Sequence, residues 1–185
     1  MKTLRFILIS SLCILFIGSC KKDNDIGGDN VHTGKVSFSE FGMKVYFPED
    51  EWGNQKDVAA QKITAFLRES RTDDGDYSVF IRFIRFISHF EDENKANEEI
   101  KGIKDYYEAS LGSEYSFVSP IESSQVSNYK ASKIKCKKMA GPIEETYFIY
   151  RKNRLYQISI VMPEDKVSVY YAPCMEIINT LQITD

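Results

Sequence analysis

The chain has 185 residues, with 27 acids against 24 bases, and its 12 Phe and 11 Tyr give ample material for one core. A net charge of -3 supplies none of the Lys/Arg surplus that holds phosphates, which argues against nucleic acid as a partner. Two histidines, His32 and His89, and four cysteines lack the spacing of a zinc site, so no metal and no other cofactor is expected.

The first segment reads as an export signal. Lys2 and Arg5 make a short positive start, and Phe6 to Ile17 is apolar apart from Ser10 and Ser11. That run is shorter than the roughly 20 apolar residues that span a bilayer, and it has the length of the apolar part of a cleaved signal. Ile17-Gly18-Ser19-Cys20 resembles the lipobox of bacterial lipoproteins, an aliphatic residue and two small ones before a cysteine whose thiol takes a diacylglyceryl group. The resemblance implies a mature amino terminus at Cys20 and a membrane as partner through the lipid, each buried methylene adding about 0.8 kcal/mol. Lys21, Lys22, Asp23 and Asp25 resemble the lysine-then-acid signal that routes lipoproteins of some Gram-negative bacteria to the outer leaflet of the outer membrane. With only Ile26 and Val31 apolar between Asp23 and Gly34, residues 20–35 cannot offset their ordering entropy. They are expected to be a flexible tether, with or without sorting content.

Residues 36–185 are about one domain's worth of chain. Val36 to Glu40 and Met43 to Phe47 read as an opening hairpin around Phe41-Gly42. Asp57 to Glu69 is open between helix, from Val58, Ile63, Phe66 and Leu67, and strand, from the alternation of Ile63, Ala65 and Leu67. Asp73-Asp74-Gly75 marks a turn. Tyr77 to Ile87 is apolar on both faces and is expected to be a central strand covered twice. Glu93 to Leu111 is the clearest helix, with acids in its first turns, Ile100, Ile103, Tyr106, Tyr107 and Leu111 at helical spacing, and Gly112 as a stop.

Three strand-like segments then make a meander, Lys130 to Lys138, Glu144 to Arg151 and Leu155 to Met162, the last two joined through Lys152-Asn153-Arg154. Glu164 to Leu181 returns to helical spacing, with a kink or break expected near Ala172 because Pro173 falls inside the pattern. The order gives an α+β fold, one mainly antiparallel β-sheet with helices packed on it.

Met43-Lys44-Val45-Tyr46-Phe47-Pro48 followed by Trp52 resembles the opening of PsbP-like domains. Tyr147-Phe148-Ile149-Tyr150, Leu155-Tyr156-Gln157-Ile158 and Ile177-Ile178-Asn179-Thr180-Leu181 resemble that family's closing strands and last helix. The resemblance spans about Val36 to Ile183 and implies a PsbP-like sandwich with a strand where Val58 to Leu67 looks helical. It implies an envelope or thylakoid setting and no shared catalytic residues.

Few constellations could carry chemistry. A nucleophile needs a base within reach, and outside the tether only His89 is available, in what reads as a solvated loop. The pairs Asp73/Asp74, Glu98/Glu99 and Glu144/Glu145 diverge in any regular element and read as surface charge. Lys133, Lys135 and Lys137 share one strand face, either as an anion-binding stripe for glycan acids or as partners of cross-strand acids such as Glu144 and Glu145. Trp52 could be a ligand platform or a plug at the end of the core. With Cys13 in the signal and Cys20 lipidated, Cys136 and Cys174 remain, either as a disulfide or as two small buried hydrophobes.

The expected function is therefore a lipid-anchored cell-envelope protein, a non-catalytic accessory or binding module exposed at the outer membrane, with an envelope protein or glycan as partner. The alternative is a small-ligand-binding or hydrolytic domain with a cleft near Trp52 and the Lys133/Lys135/Lys137 face.

Overall fold

The computed structural model describes residues 35–38, 41–48 and 50–184, the first range by its backbone alone. The export-signal reading, Cys20, Lys21, Lys22, Asp23 and Asp25 lie outside the described residues. In chain order the elements are β1 Lys35–Phe38, β2 Met43–Tyr46, β3 Trp52–Asp57, β4 Lys62–Leu67, β5 Phe80–Arg85, α1 Glu93–Ala109, β6 Tyr115–Val118, β7 Glu122–Val126, β8 Tyr129–Lys138, β9 Ile143–Arg151, β10 Arg154–Met162, α2 Val167–Asn179 and β11 Gln182–Ile183.

One antiparallel sheet runs in the order β3-β4-β5-β10-β9-β8-β6. β7 and β6 lie end to end on the outer side of β8, Glu122 facing Lys133 and Val118 facing Cys136. A small sheet, β1-β2-β11, joins the opening hairpin to the end of the chain. The mainly antiparallel α+β architecture read from the sequence is the one observed.

Local chemistry explains each element. β9 and β10 are closed by Lys152 and Asn153, both at positive φ, as a tight two-residue turn requires. Asp92 caps α1 by accepting from the Lys95 N–H at 2.9 Å, and Gly112 follows the helix at φ +83. Within residues 57–69 the strand alternative holds over β4, after a turn at 58–61 and before a 3-10 turn at Arg68–Ser70: Ile63, Ala65 and Leu67 are buried in alternation while β4 pairs with β3 on one side and β5 on the other. The expected break near Ala172 is absent, since α2 runs through Pro173. Pro173 is exposed, and the Val169 carbonyl that loses its helical donor belongs to an exposed residue where water can serve it.

The core lies on one face of the large sheet. Trp52, Ile63, Ala65, Leu67, Ile81, Phe83, Tyr156, Ile158 and Ile160 pack there under Met43, Val45, Phe47 and Ile183 of the small sheet and Cys174, Ile177 and Ile178 of α2. On the opposite face α1 covers Ile134, Phe148 and Leu155 with Ala96 and Ile100. That cover stops short of β3, β4 and β5. The expectation that Tyr77 to Ile87 is covered twice is therefore half right: Val79, Ile81 and Phe83 are fully buried, and Phe80, Arg82 and Ile84 are half-buried.

Candidate functional site

The structure scatters the residues singled out from sequence. Trp52 is 3% exposed and belongs to the core, so it is a plug and offers no platform. Lys133, Lys135 and Lys137 do share a face, but Lys133 pairs with Glu122 at 3.2 Å and Lys137 with Glu164 at 2.5 Å. These are cross-element partners other than the Glu144 and Glu145 suggested by sequence, and they leave only Lys135 of the stripe without an ion pair among the described residues. Cys136 and Cys174 are free and buried. They lie on opposite faces of the sheet: Cys136 follows Ile134 on the side covered by α1, and Cys174 belongs to the core under α2. A bridge between them is excluded by the sheet itself. Burial pushes each thiol up to about 12, with Glu144 adding to the rise at Cys136, which keeps both protonated and unreactive.

Two polar clusters escaped the sequence reading. Glu144 and Glu145 diverge to opposite faces, as adjacent strand residues must, yet both are buried. Under α2, one oxygen of Glu145 accepts from the Tyr171 hydroxyl at 2.5 Å and from the Tyr147 hydroxyl, and the two phenols lie 3.2 Å apart. Burial, then the bond to Glu145, raises both phenols, Tyr171 to about 12. They stay protonated donors, which is how a carboxylate without a cation is kept in the interior. Under α1, Thr146 Oγ1 donates to Glu144 at 3.3 Å and lies 2.9 Å from Ser159 Oγ, to which Gln157 also donates at 3.1 Å. Both clusters consume their polar atoms internally, and neither opens onto a cleft.

What remains open is the half-face of β3, β4 and β5 that α1 leaves bare. Gly53 is placed there because a Cβ would lie 2.2 Å from the Phe66 ring, so the ring rests on glycine backbone. Tyr77 stacks on Phe66, centroids 4.0 Å apart and planes at 21°. Phe80 sits opposite Phe66 in register, and the Arg82 guanidinium covers its ring at 5.4 Å. Beside these rings runs a shallow cleft of about 710 Å³, bounded by Tyr77, Phe80, Pro142, Val161, Pro163 and Asp165. A smaller one of about 220 Å³ lies between Glu93, Lys130 and Arg151, whose charges are taken up by a 3.0 Å ion pair between Glu93 and Lys130 and by stacking of Arg151 on Tyr129. Neither cleft is formed by Trp52 or by Lys133, Lys135 and Lys137, where the sequence reading placed one.

These features define the domain as a PsbP-like α+β sandwich with one half of a sheet face uncovered. No family model matches the chain, and no curated protein does. Among solved structures it is similar to the cyanobacterial PsbP, CyanoP, from Synechocystis, with a TM-score of 0.56 at 11% identity over 90% of this chain and 98% of that one. LpqN, involved in cell envelope biogenesis of Mycobacterium tuberculosis, superposes with a TM-score of 0.51 at 10% identity, covering 77% and 83% of the two chains. A protein of Bacteroides thetaiotaomicron gives 0.52 at 11% identity over 84% of this chain, which spans 50% of that longer one. At such identities the likeness is one of fold.

Proposed function

We propose that this chain is a lipid-anchored protein of the cell envelope, held at the outer membrane through Cys20, whose domain acts by binding and catalyses no reaction. The observation that carries the reading is the division of labour on the sheet. The buried carboxylates Glu144 and Glu145 are held by neighbouring hydroxyls and the two thiols are buried in the interior, while an ordered aromatic surface is left open. An accessory module needs only such a surface and a tether. The fold shared with LpqN, a protein involved in cell envelope biogenesis, supports an envelope setting, and the lipobox-like Ile17-Gly18-Ser19-Cys20 would supply the anchor.

Replacing Cys20 with alanine in the full chain, expressed in a Gram-negative host, tests the anchor. The wild-type protein should sediment with membranes, and Cys20→Ala should move to the soluble fraction, since only the lipid supplies the methylenes that hold it. A variant that still sediments with the membrane would refute the anchor.

A further inference from the structure

We infer that the cleft beside the uncovered half-sheet is a saccharide site that stacks a neutral sugar ring on Tyr77. The inference rests on the binding-module reading only for the compartment in which the glycan is met. Three independent features of the cleft point the same way.

The platform is built in advance. Gly53, Phe66 and Tyr77 form a layered stack, and the loop that presents Tyr77 is fixed at both ends of a tight turn. Ser70 Oγ accepts from the Val79 N–H at 3.1 Å, Ser78 Oγ donates to the Ser70 carbonyl at 3.1 Å, and the Thr72 N–H donates to the Asp76 carbonyl at 2.7 Å. Gly75, at φ +89, makes that turn. An aromatic ring held this way loses little entropy when a ligand lands on it. Arg82 already occupies the ring of Phe80 and one face of Tyr77 is taken by Phe66, so the exposed side of Tyr77 is the free platform.

The shape and charge then select the ligand. Val161, Pro142 and Pro163 present apolar walls suited to the C–H face of a pyranose, and the cleft is shallow as well as large. Its carboxylates are Glu164, whose charge is taken up by Lys137, and Asp165, which makes no ion pair among the described residues, and the Arg82 guanidinium lies over the Phe80 ring at its edge, so no excess of positive charge is left for an anion. Carboxylates accept hydrogen bonds from sugar hydroxyls and repel phosphate, sulfate and uronate. Of the basic stripe only Lys137 reaches the cleft, where its ammonium is held by Glu164, while the strand positions of Lys133 and Lys135 face the other side of the sheet. The ligand class is a neutral glycan.

The test uses the full chain in detergent, with maltotriose, cellotriose and chitotriose as neutral probes and trigalacturonate as the anionic one, read by calorimetry and saturation-transfer NMR. At least one neutral trisaccharide should bind, with trigalacturonate weaker. Tyr77→Ala should weaken binding roughly tenfold while Tyr77→Phe keeps it, because the ring and not the hydroxyl makes the stack. Asp165→Asn should weaken it severalfold. Absence of binding by all three neutral probes, tighter binding of trigalacturonate, or wild-type affinity in Tyr77→Ala would each overturn the inference. None of these results bears on membrane association, so the anchor stands or falls separately.

Discussion

Replacing Tyr147 and Tyr171 together with phenylalanine is expected to destabilise the domain by about 3 kcal/mol in urea denaturation. The reason is the carboxylate they leave behind. Glu145 is 7% exposed, and its two donors are those phenols. Removing both leaves a buried carboxyl group with its hydrogen bonds gone, and that penalty exceeds the loss of either bond alone. Each single substitution leaves one donor and should cost about 1 kcal/mol. Lys135 faces Glu145 in register, so the double variant is also measured with Lys135→Met to prevent a new ion pair. A double variant within about 0.5 kcal/mol of wild type would show that the carboxylate reaches water without them.

The two faces of β5 should answer very differently to the same truncation. Phe83→Ala is expected to cost about 3–5 kcal/mol, because the ring is fully enclosed between the large sheet and the layer of α2 and the small sheet. Phe80→Ala, three residues earlier on the bare side, should cost about 1 kcal/mol. Its ring already meets water on one side and the Arg82 guanidinium on another. Equal losses at Phe80 and Phe83 in the same denaturation series would mean that something covers both faces, and the open half-sheet would then be no binding surface.

The contrast between those faces also marks where the sequence stops being readable. β8, β9, β10 and α1 were legible because burial imposes a period: hydrophobic residues recur at helical spacing in α1, β9 and β10 are long and largely apolar, and β8 alternates Ile134 and Cys136 with Lys133, Lys135 and Lys137. β3, β6 and β7 were missed for the opposite reason. They are short edge or near-edge strands whose Asn54, Gln55, Ser116, Ser123 and Gln125 point into water, so no hydrophobic pattern marks them.

The bare half-face was hidden by a different rule. Phe80 and Ile84 are apolar, and an apolar residue on both sides of a strand normally signals two covering layers. Here the connection after β5 leads away along β10, with the Phe86 N–H on the Leu155 carbonyl at 2.9 Å and the Phe90 N–H on the Asn153 carbonyl at 3.0 Å. It delivers α1 over β8 and β9, so the cover goes elsewhere. Glu145 was unreadable for a third reason, since a glutamate in sequence signals surface and its partner Tyr171 lies 26 positions away. The aromatic pair Phe66 and Tyr77 likewise gains its meaning only through Gly53, whose missing side chain is unremarkable until the strands are paired.

Carbene footprinting of the natural full-length protein, in intact cells and after purification, tests most directly that this chain works by binding through its bare half-sheet. Tyr77, Phe80 and Pro142 should be labelled in the purified protein and shielded in cells, while Tyr106 and Leu111, exposed on and just beyond α1, should label alike in both. Equal labelling of Tyr77 and Phe80 in cells and in solution, or shielding confined to Tyr106 and Leu111, would contradict it.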